Sequence, residues 1–131
     1  MKSPDTASRA MRFEADERVR KVNDLEHMIR EFEQVAADLE RQIQAEEERT
    51  GVRDSSHFNY STFARSAALR RENLLASAAG LRPRLEDAIR ERDEFLEQMD
   101  RLASVEQRPT TAGSGRAGRS RSNSSQSSQL R

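Results

Sequence analysis

The chain has 131 residues, of which 35% are charged and 34% apolar, with five Phe, one Tyr and no Trp. That composition excludes an enzyme core of ordinary thickness and leaves room for one domain built on a narrow apolar seam. The zero formal net charge hides an uneven split: residues 1–106 hold all 23 acidic groups against 18 basic ones, whereas residues 107–131 hold five Arg and no acid. Without cysteine there is no disulfide framework and no thiolate chemistry, which fits a reducing compartment. The opening Met1–Phe13 has no apolar run of signal-peptide type, and no stretch approaches a membrane span. The expectation is a cytoplasmic protein.

Residues 1–7, which include Pro4, read as a frayed start, with Ser3 or Asp5 as N-cap. Helix 1 is expected over about 6–50. Its apolar residues Val22, Leu25, Ile29, Phe32, Ala36, Leu39 and Ile43 alternate three- and four-residue steps, the a/d seam of a helix packed on another helix. Gly51 supplies a stop, because glycine accepts the left-handed conformation after a helix end. Residues 51–59, with Asp54, Ser55 and Ser56, carry turn chemistry.

Helix 2 is expected over about 60–107, capped by Asn59 or Ser61 and ended by Pro109. Its seam is Leu74, Ala78, Leu81, Leu85, Ala88, Phe95, Met99 and Leu102, with Arg92 inside it. Gly80 and Pro83 fall within the pattern, and an interior proline costs about 3 kcal/mol and kinks a helix. The seam keeps phase across them, so one helix kinked near 80–83 is expected rather than a third helix starting at Pro83. Residues 108–131, rich in Arg, Ser and Gly, cannot bury enough surface to offset chain entropy and are expected to be a disordered tail.

Folded back on itself, the chain sets facing positions that sum to 110. Phe32 then meets Ala78, Ala36 meets Leu74 and Leu25 meets Leu85; this match of large against small favours the register over one shifted by a heptad. The fold class expected is all-α: a long antiparallel two-helix coiled-coil hairpin with a C-terminal tail.

No catalytic constellation is present. Gly113, Gly115 and Gly118 spell G-x-G-x-x-G, but no strand precedes them, so a nucleotide cofactor is not expected. Arg116, Arg119 and Arg121 suit phosphate contact but lack interleaved aromatics, so nucleic acid is not expected as a partner either. His27 shares a helical face with Asp24 and Glu31, which reads as surface charge rather than a metal site. His57 has no acid–base partner.

The candidates are therefore partner-binding residues. Arg18 and Arg92 occupy seam positions and face one another, so they must turn outward or the layer must open; Glu14, Asp16, Glu17, Asp93 and Glu94 are near enough to neutralise them. Glu26, Glu33, Glu40 and Glu47 recur every seven residues beside the seam, opposite Leu75, Arg82, Ile89 and Leu96. The row is either a solvated edge with a bridge such as Glu26–Arg82, or a docking edge widened by Leu75, Ile89 and Leu96, with Met28 and Val35 on the other side.

The segment HFNYSTFARSAALRRENLLASAAGLR, at 57–82, resembles the turn and second helix of the FliJ family of flagellar export proteins in its alphaproteobacterial form. MIREFEQVAADLERQIQAEEERTGVRD at 28–54 and RFEADERVRKV at 12–22 are similar to that family's first helix. Pro83 and the Arg/Ser tail depart from the family pattern. The resemblance, over about residues 1–105, implies a non-enzymatic coiled-coil stalk. Its implied partners are the flagellar type III export ATPase ring, the export gate membrane protein and export chaperones. It further implies a cytoplasmic place, peripheral to the cell membrane at the flagellar base, and a need for the protein in flagellum assembly and motility. By analogy with rotary ATPase shafts, the end carrying residues 8–25 and 86–106, with Arg12, Arg20 and Arg90, enters the ring. The turn, with Phe58 and Tyr60, points to the gate. The competing readings are a generic coiled-coil scaffold or chaperone, and a nucleic-acid-associated protein acting through its basic tail.

Overall fold

The computed structural model describes residues 4–107; the expected disordered tail and the Ser3 cap lie outside them. Two helices make up the fold, α1 over Pro4–Thr50 and α2 over Thr62–Gln107, of 47 and 46 residues. At about 1.5 Å per residue each is roughly 70 Å long, far beyond a globular mean, as a coiled coil requires. Residues 4–7 are helical and not frayed, and Asp5 lies inside the first turn of α1, not before it as a cap; proline is tolerated there because a first-turn N–H has no helical partner to lose.

Within residues 4–95 the helices pack antiparallel along the 3-4 seam. One buried cluster joins Val22, Leu25 and Ile29 to Ala78, Leu81 and Ala88, with Phe32, Leu85 and Ile89 packed against it. A second, nearer the turn, joins Leu39 and Ile43 to Tyr60, Ala64 and Ala67, with Val35, Val52, Ala68 and Leu74 against it. Every facing pair from Val22/Ala88 to Phe32/Ala78 thus falls in one cluster. A slip by one heptad would set Ile29 on Leu74, which belongs to the other cluster, or Leu25 on Arg92. Alanine faces a large residue in the layers Val22/Ala88 and Phe32/Ala78, while Leu25/Leu85 and Ile29/Leu81 pair two large residues.

α2 runs unbroken through Pro83, so no third helix begins there. Pro83 and Gly80 are both exposed, on the side of α2 away from the seam. The carbonyl that proline leaves unbonded, one turn earlier at Ala79, therefore faces water rather than the packed layer.

The turn is dense with hydrogen bonds. Gly51 has φ of 77°, and its N–H donates to the Glu47 carbonyl at 2.8 Å, closing α1 with a left-handed cap. The Asp54 carboxylate accepts from the Ser56 N–H and hydroxyl at 3.0 and 2.7 Å, which holds it below the usual carboxylate range. The His57 Nδ1 accepts from the Asn59 N–H at 3.0 Å. Ser61, not Asn59, caps α2: its Oγ accepts the Ala64 N–H at 3.1 Å. α2 accordingly starts at Thr62, two residues later than the spacing suggested, because Tyr60 and Ser61 belong to the turn.

Candidate partner-binding surfaces

Three regions gather the candidate residues: the turn, the arginine layer, and the glutamate-lined edge between the helices. Among the described residues no three His, Cys, Asp or Glu side chains converge as metal ligands, and the His27 Nε2 simply lies 3.7 Å from a Glu31 carboxylate oxygen. No described helix is long and apolar enough to cross a membrane.

At the turn the two aromatic candidates part company. Phe58 is 88% exposed and stacks on the His57 ring at 4.8 Å between centroids. Tyr60 is only 7% exposed and belongs to the core, which corrects its placement on the binding surface. The reason is phase: Tyr60 falls one seam step before Ala64 and Ala67, so its ring packs inward while its hydroxyl donates to the Glu47 carboxylate at 2.6 Å. That bond and partial desolvation raise the phenol above its ordinary pKa. Arg65 closes the turn from outside, donating to the Ser55 carbonyl at 2.9 Å with its guanidinium 5.3 Å from the Tyr60 ring centre.

Glu46 occupies a seam position beside this turn and is satisfied there. Arg49 donates to both its oxygens at 2.9 and 2.8 Å, and Ser61 Oγ donates at 2.6 Å from the other helix's cap. These bonds, Arg49 first, pull its carboxyl down to about 2.

Toward the other end, Arg18 and Arg92 turn outward, each about one third exposed. Two of the expected acids neutralise them: Glu14 pairs with Arg18 at 2.8 Å and Asp93 with Arg92 at 3.0 Å. Arg18 also lays its guanidinium 4.2 Å from the centre of the Phe95 ring, so that ring takes the place of a buried partner in the layer. A shallow cavity of about 440 Å³ opens beside it, lined by Glu17, Arg20, Lys21, Asp24 and Arg84. Arg20 pairs with Glu17 at 2.5 Å, Arg90 with Asp87, and Lys21 reaches Glu91 across the helices at 3.6 Å. Arg12 is exposed.

Along the edge, Arg82 bridges to Glu33 and not to Glu26, because an outward-leaning arginine reaches along α1 toward the turn. A second bridge, Arg71 to Glu40, was not legible beforehand. Arg71 takes the seam position between Ala67 and Leu74, so extending the 3-4 count one step toward the turn would have found it. Leu75 is 45% exposed and Leu96 40% exposed. Ile89, in contrast, is half-buried against the main core cluster, and Val35 against the second. Both serve the hairpin itself, which narrows the docking edge to fewer apolar residues than the sequence suggested.

No family model, curated protein or solved structure matches this chain.

Proposed function

We propose that this chain is a non-enzymatic component of the flagellar type III protein export apparatus. It would act as a coiled-coil stalk that promotes assembly and activity of the export ATPase ring and links that ring to the export gate. The place proposed for it is the cytoplasm, held peripherally at the inner face of the cell membrane. The observation that supports this reading best is the pairing of two long helices of matched length around a turn with the resembling segment, EEERTG followed by HFNYSTFA. A shaft that sits inside a ring needs a polar surface without one deep apolar anchor, and the Arg18/Arg92 layer with Arg12, Arg20, Lys21, Arg90 and Glu91 provides such a surface. The turn end would project toward the gate, with Phe58 as its exposed contact.

A strain lacking the protein tests the reading. It is expected not to swim and to secrete little flagellin; a motile null strain with normal flagellin secretion would leave only a generic coiled-coil role. Orientation is tested separately. Reversing the charge of Arg12, Arg20 and Arg90 is expected to weaken stimulation of ATP hydrolysis with helicity unchanged, whereas Phe58→Ala is expected to impair gate binding alone. The opposite assignment of the two defects would invert the stalk.

A further inference from the structure

The edge that carries Leu75 holds a groove that the hairpin covers only in part: Ala36 is buried, while Ala37 and Leu75 remain exposed. A helix surface accepts a knob from another helix in a hole made by residues i, i+3, i+4 and i+7. Glu33, Ala36, Ala37 and Glu40 form such a hole, and with Arg71 and Leu75 they line a groove of about 430 Å³. Comparable holes on α1 are walled mostly by long polar side chains: Glu17, Arg20, Lys21 and Asp24 at one, Arg41, Gln44 and Glu48 with Ala45 at another. Among these three, the hole at 33–40 has alanine at both inner positions, Ala37 exposed and Ala36 already buried in the hairpin. A leucine beside it, 45% exposed, is left without a hole of its own.

We propose that this edge is a self-complementary interface that joins two copies of the chain. In the observed register Leu75 stands level with Val35, near the middle of the hole at 33–40. A two-fold axis parallel to the helices would keep the copies level but set each helix parallel to its counterpart; here it lays α1 of each copy against α2 of the other and drives each Leu75 into the partner's hole. The charges agree with that axis. Arg71 and Arg82 flank Leu75 on α2, and Glu40 and Glu33 close the two ends of the hole on α1. Each arginine thus meets a second carboxylate, on the other copy, at the level of the one it already binds. A two-fold axis across the helices would instead set the row Glu26, Glu33, Glu40 and Glu47 against itself, which like charges disfavour. The result is a four-helix bundle over the middle of the hairpin. The inference does not depend on the export reading.

Light scattering of the full chain across a concentration series is the first test. The mass is expected to rise from 15.0 kDa toward twice that value. Leu75→Asp is expected to raise the dissociation constant about tenfold or more, as loss of a central anchor does, with an unchanged circular dichroism spectrum because the side chain is exposed. A chain that stays at 15.0 kDa at its highest soluble concentration overturns the proposal. The axis is tested by mixing two single variants, Ala37→Cys and Leu75→Cys, in a background that has no cysteine. Oxidation is expected to give a covalent dimer of one chain of each kind. Cross-links confined to Leu75→Cys chains would overturn the arrangement.

Discussion

The turn end and the arginine layer both place charge at seam positions, and they resolve it in opposite ways. Glu46 is met by Arg49 on its own helix and by Ser61 from the start of α2, so its charge ties the two helices together. Arg18 and Arg92 find their ion-pair partners Glu14 and Asp93 on their own helices, so those pairs do not tie α1 to α2. A charge in a seam strengthens it only when its hydrogen bonds cross the seam. The turn end is accordingly a lock of hydrogen bonds that cross the seam, whereas the arginine layer is joined across it by the Arg18 guanidinium on the Phe95 ring and by Lys21 with Glu91.

That contrast is easiest to break through the layers between. Ile29→Ala, in the main cluster, is expected to cost about 2–5 kcal/mol in denaturant unfolding, since a buried aliphatic is replaced by a cavity. Replacing both Arg18 and Arg92 by leucine is expected to do the reverse. Because both arginines are about one third exposed, the gain is expected to stay at about 1 kcal/mol, below that of a fully buried pair, and the melting temperature should rise. A loss in that variant would show that the Arg18 contact with Phe95 outweighs the cost of the charges. Ser61→Ala, which removes both the α2 cap and a Glu46 donor, is expected to cost about 1 kcal/mol from the cap alone. Gly80→Ala is the smallest change: a Cβ there meets nothing within 4 Å, and the helix should gain about 1 kcal/mol.

The lock also predicts a pH dependence with a definite sign. The Glu46 carboxyl lies near 2 when folded, against an ordinary value of 4.5. Its contribution is therefore fully present above about pH 4.5 and is lost as pH falls through 2. Thermal melts of the parent and of Glu46→Gln should differ most at neutral pH and converge near pH 2.

Much of this fold could be read from the chain, because a coiled coil writes its contacts locally. The 3-4 spacing from Val22 to Ile43 and from Leu74 to Ala88 carries the pairing, and large-against-small matching carries the register. What stayed hidden had a different cause. Tyr60 and Arg71 sit where the apolar pattern thins out, so a polar handle or a full charge masked their seam positions. Ile89 looked like surplus surface because spacing gives a residue's face but not how far a neighbouring helix covers it. Arg82 chose Glu33 over Glu26 through side-chain reach, which a heptad diagram does not contain. The surfaces for partners were the least legible, since exposure depends on the packed pair rather than on either helix.

Every surface described here, from the arginine layer to the groove beside Leu75, depends on one register. Cysteines at Ile29 and Leu81, in a chain with none of its own, measure it directly. The pair is expected to form a disulfide within one chain, and faster than the pair Phe32 and Leu85. Faster closure of that second pair would move the helices by a heptad and contradict the account.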